Sequence, residues 1–487
     1  MSSITGQLTK GAKWTGISTM IITVIQIIQF ILLGNQMSIS QFGLVGLLTI
    51  VMVFAQIILD SGFGSAIIQK EQVSNRMLST LFWLNVVVGI VLFIVLFFTS
   101  GLIAHFFHRS ELSELIRILA VVFLAAPIGQ QSQYLLQKDL RFNQLGKIET
   151  ISATVSFFIL VILIFTINPI YAYVISQVVL YSLKSIWYFV SYAKTWRPGF
   201  AFDLKECSEI LSFGAFQLSS RLVNRIGSNI DVILIGRFMG AEALGVYNLV
   251  YQIVTIPVLR INPIMTRVAF PLFSKNQHSH TALNDGFLHM TKFLSVITFP
   301  MLMGLASVSD LFILTFFGEK WSGAIPILQI MAIVGILRVL MNPSGSIILA
   351  KGKANIAFYW DAGMLLLYGV SLGIAVTSNS LQIVAWTYVL VSIVNFIMGR
   401  WLLAWLIGLR WSRYLNTVAM PFALSLLITA VAYVINKSCA HYFSEATIWP
   451  LIISVGVSAG LYLLLLSKVY PGFFSKLLKM RTGGRPL

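Results

Sequence analysis

The chain has 487 residues, of which 57% are hydrophobic and 10% charged, and its mean hydropathy is +0.88. Soluble domains carry about a quarter charged residues, so this composition excludes an ordinary soluble protein and predicts a polytopic membrane protein. The formal net charge of +17 would suggest nucleic-acid binding in a soluble protein, so the location of the basic residues has to be settled first.

Glycines, prolines and charged residues divide the hydropathy pattern into fourteen predicted membrane spans. The predicted spans are 14–34, 41–66, 78–100, 115–136, 150–167, 170–192, 210–235, 241–265, 287–316, 323–349, 355–376, 381–407, 414–435 and 447–467. The first is too long for a signal-peptide core and has no small-x-small cleavage site after it, so a retained span is predicted. No long hydrophilic segment interrupts the series, and no soluble domain is therefore expected.

The basic residues are distributed unevenly between the predicted loops. With a cytoplasmic N-terminus, most of the 33 lysines and arginines fall in cytoplasmic segments, and the outward segments receive Arg109, Arg117, Arg237, Lys320 and Lys437. This positive-inside bias predicts that both termini are cytoplasmic. It also accounts for the net charge, so a nucleic-acid partner is not supported.

An internal repeat with an offset of 202 residues relates the first and seventh predicted spans. "ILLGNQMSISQFGLV" (31–45) matches "ILIGRFMGAEALGVY" (233–247). The same offset places Thr15, Thr19, Thr23, Gln26 and Gln29 on Gln217, Arg221, Arg225, Ser228 and Asp231. Each set steps by three or four residues and so follows one helical face.

Six spans separate the repeat units. This even number gives both copies the same orientation, related by an axis along the membrane normal. The prediction is two six-helix bundles around a central cavity, residues 1–205 and 206–410, with two extra helices and a basic cytoplasmic tail in 411–487. A weaker similarity, which chance could produce, joins "APIGQ" (126–130) to "NPSGS" (342–346).

Seven basic residues lie inside predicted spans: Lys184, Arg221, Arg225, Arg260, Lys292, Arg338 and Arg400. A cation at the bilayer centre costs about 2.5–3.5 kcal/mol on insertion scales, so the face with Arg221 and Arg225 should contact protein or water. These two arginines either line a cavity or pair structurally with Asp231, Asp60 or Asp361. For Lys184 and Arg400 we expect snorkelling toward a helix end.

The eighth span contains prolines, and the second span ends near an acid beside glycines. Pro257 and Pro263 break helical hydrogen bonds and predict either a helix that bends during gating or a static kink with Arg260 snorkelling. Asp60, in "LDSGFGSAII" (59–68), is expected to cap, to form a turn or to pair with an intramembrane arginine.

No motif for catalysis, metal binding or phosphate binding occurs. The sequence lacks H-E-x-x-H, a cysteine pair, G-x-S-x-G and G-x-x-x-x-G-K-[ST]. We therefore predict no enzyme, catalytic residue, metal or cofactor.

Five segments resemble the flippases of the multidrug/oligosaccharidyl-lipid/polysaccharide (MOP) exporter superfamily, and most closely its colanic-acid and teichuronic-acid exporters. The segments are "KGAKWTG" (10–16), "LDSGFGSAIIQ" (59–69), "YLLQKDLRFNQLGKIE" (134–149), "DVILIGRFMGAEALGVYNLVYQI" (231–253) and "PVLRINPIMTRVAFPLFS" (257–274). The resemblance implies two facing six-helix bundles. It also implies export of an undecaprenyl-diphosphate-linked oligosaccharide across the bacterial cytoplasmic membrane.

The resemblance further implies a cationic central cavity, for which the candidates are Arg221, Arg225, Arg260 and Arg338. Thr19, Thr23, Gln26, Gln217 and Asn224 are candidate partners for sugar hydroxyls. Because Thr19 and Thr23 stand where the second repeat has arginines, the predicted cavity is asymmetric in charge. The expected partners are the lipid-linked oligosaccharide, membrane lipids, H+, Na+ or the membrane potential as driving force, and polysaccharide biosynthesis enzymes.

Two other functions remain as alternatives. A cation-coupled multidrug exporter of the same fold would favour acidic residues in the cavity, whereas basic residues dominate the spans here. A membrane glycosyltransferase or polymerase would need a large outward loop, and the longest predicted outward segment, about 101–114, is short.

Overall fold

In a computed structural model the chain is helical along the part that the structure describes, residues 2–60, 63–70, 73–442 and 448–471. No strand occurs in these ranges, so the predicted all-α fold is confirmed. The side chains of residues 2–13, 215–217 and 256–268 fall outside the description.

Two compact units divide the chain at Gly245 and Val246. The first contains α1 (Ser2–Gln36), α2 (Ile39–Asp60), α3 (Phe63–Gln69), α4 (Asn75–Phe106), α5 (Glu111–Ala120), α6 (Val122–Lys138), α7 (Phe142–Ile164), α8 (Pro169–Tyr192), α9 (Leu204–Ser228) and α10 (Ile230–Phe238). Helix α11 (Gly240–Lys275) begins in the first unit and continues into the second.

The second unit continues with helices of similar length. They are α12 (His280–Ser307), α13 (Ser309–Phe317), α14 (Ala324–Ala350), α15 (Ala354–Ala375), α16 (Leu381–Ile407), α17 (Trp411–Tyr442) and α18 (Ile448–Val469), with short 3₁₀ turns at Glu319–Trp321 and Val376–Ser378.

Polar caps fix where several helices start. The side chains of Ser74, Asn168, Asp203 and Ser279 accept hydrogen bonds from backbone N–H groups in the first turn of the helix that follows. Such N-caps satisfy donors that have no partner inside the helix. Helix α16 ends at Gly408, whose φ of +70° suits glycine.

Within the described residues, twelve helical segments are long and apolar enough to cross a membrane. They correspond to twelve of the fourteen predicted spans and confirm a multi-pass membrane protein. The seventh and eighth predicted spans fall on α9, α10 and α11, which carry more charge. The count of fourteen is therefore approximate.

Several predicted spans differ from the helices in length or continuity. The predicted spans 115–136, 210–235 and 287–316 are each divided in two, at Val121, Asn229 and Val308. Helix α11 has 36 residues, and at about 1.5 Å per residue it is longer than the ~30 Å hydrocarbon core. Hydropathy alone gives neither the breaks nor the extension of a helix beyond the membrane.

The helix ends support the internal repeat. Under the 202-residue offset, the last residue of α1, Gln36, corresponds to the last residue of α10, Phe238. Further along, the end of α6 and the starts of α7 and α8 precede the corresponding points of α14, α15 and α16 by 212 residues. The similarity between 126–130 and 342–346 has an offset of 216 residues, about one helical turn out of this register, and is therefore not a structural equivalence.

A reciprocal glycine contact joins the first turns of α2 and α11. A Cβ atom added to Gly43 would lie 1.9 Å from the Ala241 carbonyl oxygen, and one added to Gly245 would lie 2.0 Å from that of Ile39. Gly43 and Gly245 are equivalent under the 202-residue offset, as are Ile39 and Ala241. The repeat has thus kept glycine on both sides of one close backbone approach, inside the first unit.

Candidate functional site

Helix α9 carries the two arginines that the sequence placed on one face. It begins at the Asp203 cap, whose carboxylate accepts hydrogen bonds from the N–H groups of Lys205 and Glu206. It packs against α2, α3 and α4. Arg221 and Arg225 follow one turn apart in its last two turns.

Arg221 forms an ion pair with Asp60, the last residue of α2. The two side chains are 39% and 28% exposed, so the pair is only partly shielded from its surroundings. Asp60 was one of three acids considered as a structural partner. A carboxylate is unfavourable at a helix C-terminus because of the helix dipole, and the guanidinium offsets this cost.

A chain of hydrogen bonds holds the other side of this carboxylate. The Tyr134 hydroxyl donates to Asp60 Oδ1, and Gln130 Nε2 donates to the Tyr134 hydroxyl at 2.7 Å. Gln130 and Tyr134 are one turn apart on α6. Asp60 therefore has a partner on each carboxylate oxygen, one from α9 and one from α6.

Beside this network lies a cavity of about 360 Å³ between α2, α6, α8 and α9. We call it the polar cavity. Its lining residues are Val53, Gln56, Ile57, Leu59, Asp60, Val122, Ala126, Gly129, Gln130, Gln133, Tyr181, Lys184, Ser185, Tyr188 and Arg225.

Two cations line the polar cavity, Arg225 from α9 and Lys184 from α8. Within the described part of the chain, neither side chain has an acidic partner. For Lys184 the expectation of snorkelling gave no role, whereas the structure places it at the cavity wall. Only the packing of α8 against α6 identifies this residue.

Amides and hydroxyls supply the neutral polar part of the lining. Gln56 Nε2 and Gln130 Oε1 are buried and have no hydrogen-bond partner within the described residues. Buried polar groups are normally paired, so these two atoms leave hydrogen-bonding capacity in the cavity wall. The Ser185 hydroxyl, in contrast, is engaged, because it accepts from the Gly129 N–H at 2.8 Å and donates to the Ala125 carbonyl.

The polar residues of the first helix lie away from this cavity. Thr19, Thr23 and Gln26 are on α1, which packs chiefly against α7, and they are absent from the lining residues. The Thr23 hydroxyl donates to the Thr19 carbonyl at 2.6 Å. Asn224 is exposed beside Arg225 and is also absent from the lining.

Arg338 belongs to the second unit and lies among tyrosines. Its guanidinium carbon is 5.1 Å from the ring centre of Tyr251 and 5.3 Å from that of Tyr388. It donates to the Tyr251 hydroxyl at 3.1 Å and to the Tyr388 hydroxyl. Arg338 is therefore fixed both by stacking and by hydrogen bonds.

The remaining candidates have other outcomes. Asp231 is 1% exposed, and its side chain accepts from the Val232 N–H. Candidates whose side chains lie outside the described residues are Gln217, Pro257, Arg260 and Pro263.

Snorkelling is wrong for Arg400. Its side chain is 1% exposed, and its guanidinium lies within 5.2 Å of the ring centres of Phe287, Phe396 and Tyr414. It donates to Ser344. Aromatic faces attract the guanidinium, so packing between helices holds Arg400 inside the second unit.

A second cavity, of about 690 Å³, lies in the second unit and is almost wholly apolar. We call it the apolar groove. Side chains of α12, α13, α17 and α18 form most of its walls, among them Pro300, Leu305, Phe312, Ile428 and Leu463. Within the described residues, no group of three or more His, Cys, Asp or Glu side chains is arranged to hold a metal ion.

Comparison with known proteins gives concordant relatives. The family model described as polysaccharide biosynthesis protein matches residues 33–326. The chain is 57% identical over 479 residues to the teichuronic acid biosynthesis protein TuaB of Bacillus subtilis (strain 168), covering 98% of this chain and 99% of that protein. It is 32% identical over 431 residues to the lipopolysaccharide biosynthesis protein WzxC of Escherichia coli (strain K12), covering 88% and 87%.

Solved structures share the fold at low sequence identity. The lipid II flippase MurJ in an inward closed conformation aligns with a TM-score of 0.75 and 15% identity, over 94% of this chain and 98% of that chain. A multidrug resistance MATE family transporter of the MOP superfamily, in its inward-facing conformation, aligns with a TM-score of 0.62 and 12% identity, over 80% and 96%. The chain therefore belongs to the polysaccharide biosynthesis protein family and has the fold of MOP superfamily transporters.

Proposed function

We propose that this protein is a flippase that moves a lipid-linked oligosaccharide across the bacterial cytoplasmic membrane. The observation that carries this proposal is the polar cavity, in which Lys184 and Arg225 lack acidic partners and two buried amide atoms lack hydrogen-bond partners. The proposed role is transport without covalent chemistry.

The cations of the polar cavity suit a diphosphate. The diphosphate of a lipid-linked sugar carries two negative charges, and removing it from water requires fixed positive charge nearby. Arginine offers paired N–H donors to phosphate oxygens, and lysine adds a compact charge. Gln56, Gln130 and Gln133 line the same space and are suited to the hydroxyls of the first sugars.

The size of the polar cavity matches a head group better than a polymer. Its volume of about 360 Å³ is at the lower end of the roughly 300–1,000 Å³ found for small-molecule sites. We infer that it takes the diphosphate and the adjoining sugar.

The apolar groove provides a second reason to expect a lipid-linked substrate. Its lining is almost free of polar surface and its volume is about 690 Å³, which suits part of a hydrocarbon chain. A free sugar phosphate would have no use for such a groove.

The relatives indicate which polymer to test first. The Bacillus subtilis relative at 57% identity is a teichuronic acid biosynthesis protein, and the relative at 32% identity is a lipopolysaccharide biosynthesis protein. We infer that the cargo is a repeat unit of a cell-surface polysaccharide, with a teichuronic-acid-type unit as the first candidate.

The membrane potential is the proposed driving force. Moving two negative charges outward from a negative cytoplasm is favourable by about 2.3 kcal/mol per charge per 100 mV. H+ or Na+ coupling is the alternative, and flipping rates at imposed potentials, with and without an ion gradient, separate the two.

The charge of the polar cavity argues against a cation-coupled multidrug exporter. Among the described lining residues the acidic member is Asp60, and it is already paired with Arg221. A cationic drug would therefore meet Lys184 and Arg225 without a free carboxylate.

Removing the cavity cations tests the proposed function. We expect Arg225→Ala and Lys184→Ala each to lower the initial flipping rate about tenfold, and the double variant to abolish flipping, because the diphosphate loses its counter-charges. The assay uses the full chain in liposomes with a fluorescent polyprenyl-diphosphate-linked sugar.

The matched control is Lys194→Ala, which removes an exposed cation beyond the end of α8 and should flip at the wild-type rate. If the double variant inserts normally and flips as fast as the wild type, the polar cavity is not the substrate site.

A further inference from the structure

Asp60 is an acidic residue in a cavity whose other charged lining residues are cations. If the cavity bound only anions, a carboxylate in its wall would weaken binding by repulsion. The structure shows that this carboxylate is held on both oxygens, by Arg221 and by Tyr134. Its position is therefore built into the fold from two helices.

The charges around the polar cavity balance in a specific way. Lys184, Arg225 and Arg221 are positive, and Asp60 is negative, which leaves two positive charges. A sugar-linked diphosphate has two negative charges. With Asp60 neutralised, the same site would hold three positive charges against two.

We propose that Asp60 is a resident counter-ion that sets the net charge of the polar cavity to match a dianionic head group. This inference rests on the proposed function, since it assumes that the diphosphate enters the polar cavity. Asp60 limits the affinity for the diphosphate and so allows its release, because a transporter must bind its cargo weakly enough to let it go. Arg221 serves this purpose by holding Asp60 in place.

The arrangement of partners supports this role over a purely structural one. Tyr134 receives its own hydrogen bond from Gln130, and both Gln130 and Asp60 line the cavity. The side chains of the Asp60–Arg221 pair are 28% and 39% exposed, so the pair is accessible to a bound anion. A pair that only fastened α2 to α9 would not need to form part of the cavity wall.

The test measures binding and flipping by charge variants of the full chain in lipid nanodiscs and liposomes. The probe is a short-chain polyprenyl diphosphate linked to one sugar, and the control ligand is an uncharged alkyl glycoside of the same sugar. We expect Asp60→Asn to bind the diphosphate about tenfold more tightly and to flip it more slowly, because one unit of repulsion is removed. Binding of the glycoside should not change.

The double variant makes the test decisive. Arg221→Gln should weaken diphosphate binding, and Asp60→Asn combined with Arg221→Gln restores two positive charges and should restore both affinity and flipping. Glu319→Gln, which removes an exposed acid in the second unit, is the control for loss of any negative charge. Thermal unfolding without ligand identifies variants that are misfolded, and Tyr134→Phe, which keeps all charges but frees one carboxylate oxygen, should change affinity less than Asp60→Asn.

Two results would overturn the inference. Weaker diphosphate binding by Asp60→Asn would mean that Asp60 positions Arg221 for the substrate. A double variant as impaired as Arg221→Gln alone would mean that the arginine itself, rather than the net charge, is required. If wild-type affinity instead persists when Lys184 and Arg225 are both replaced, it is the proposed site that fails.

Discussion

Arg221 and Arg225 are one helical turn apart and carry the same charge, yet they have different surroundings. Arg221 is paired with Asp60, whereas Arg225 lines the polar cavity. The sequence offered cavity lining and structural pairing as alternatives for both arginines, and the structure shows one arrangement at each. Spacing along a helix gives the face that two residues share, but the neighbour on that face comes from other helices.

Lys184 and Arg400 illustrate the same limit. Both were expected to snorkel, because a single cation in an apolar helix usually reaches the nearest interface. Lys184 instead lines a cavity, and Arg400 is enclosed by aromatic rings. No pattern in the sequence around either residue distinguishes these outcomes from snorkelling.

Arg338 should not tolerate replacement by lysine. Lysine keeps the charge but loses the planar group that stacks between Tyr251 and Tyr388 and donates to both hydroxyls. We expect Arg338→Lys to lower the free energy of unfolding by about 1 kcal/mol, measured by denaturation of the purified protein. Stability equal to the wild type would show that the stacking contributes nothing.

At the scale of helices, the repeat accounts for pairs of features that hydropathy treats separately. The 202-residue offset pairs the ends of α1 and α10, and it pairs Gly43 with Gly245. Each glycine faces a backbone carbonyl at a distance that no side chain could occupy. The predicted register of the first repeat segment agrees with the helix ends, while the "NPSGS" similarity does not.

Gly43→Ala and Gly245→Ala should both impair the protein. Each added methyl group would overlap a carbonyl oxygen, Ala241 in one case and Ile39 in the other, so the first turns of α2 and α11 must separate. We expect lower membrane levels and a lower unfolding temperature for both variants, by similar amounts because the contacts are equivalent.

Gly373→Ala is the matched control for these glycines. Gly373 is also helical but has open space at its Cβ position, and alanine favours a helix over glycine by up to about 1 kcal/mol. It should be neutral or stabilising. If Gly43→Ala or Gly245→Ala behaves in the same way, the close approach has no energetic importance.

At the scale of the whole molecule, the topology is a prediction from charge. Most basic residues fall in segments that are cytoplasmic if both termini are inside. Ser110 lies between α4 and α5, and Lys353 lies between α14 and α15. The predicted orientation puts these two positions on opposite sides of the membrane.

Labelling of single cysteines checks this orientation. In a chain with Cys207 and Cys439 replaced by serine, we expect Ser110→Cys to react with a membrane-impermeant maleimide in intact cells. Lys353→Cys should react only after permeabilisation. The reverse pattern would invert the predicted topology.

The sequence by itself determined the class of the protein, because the length and composition of its apolar runs leave no alternative to a helical membrane protein. It also determined the first repeat and the family resemblance, since these depend on residues close together in the chain. The tertiary structure alone decided what each intramembrane charge contacts. The polar cavity combines residues of α2, α6, α8 and α9, and the energy of a charge in the membrane depends on such neighbours rather than on its position along the chain.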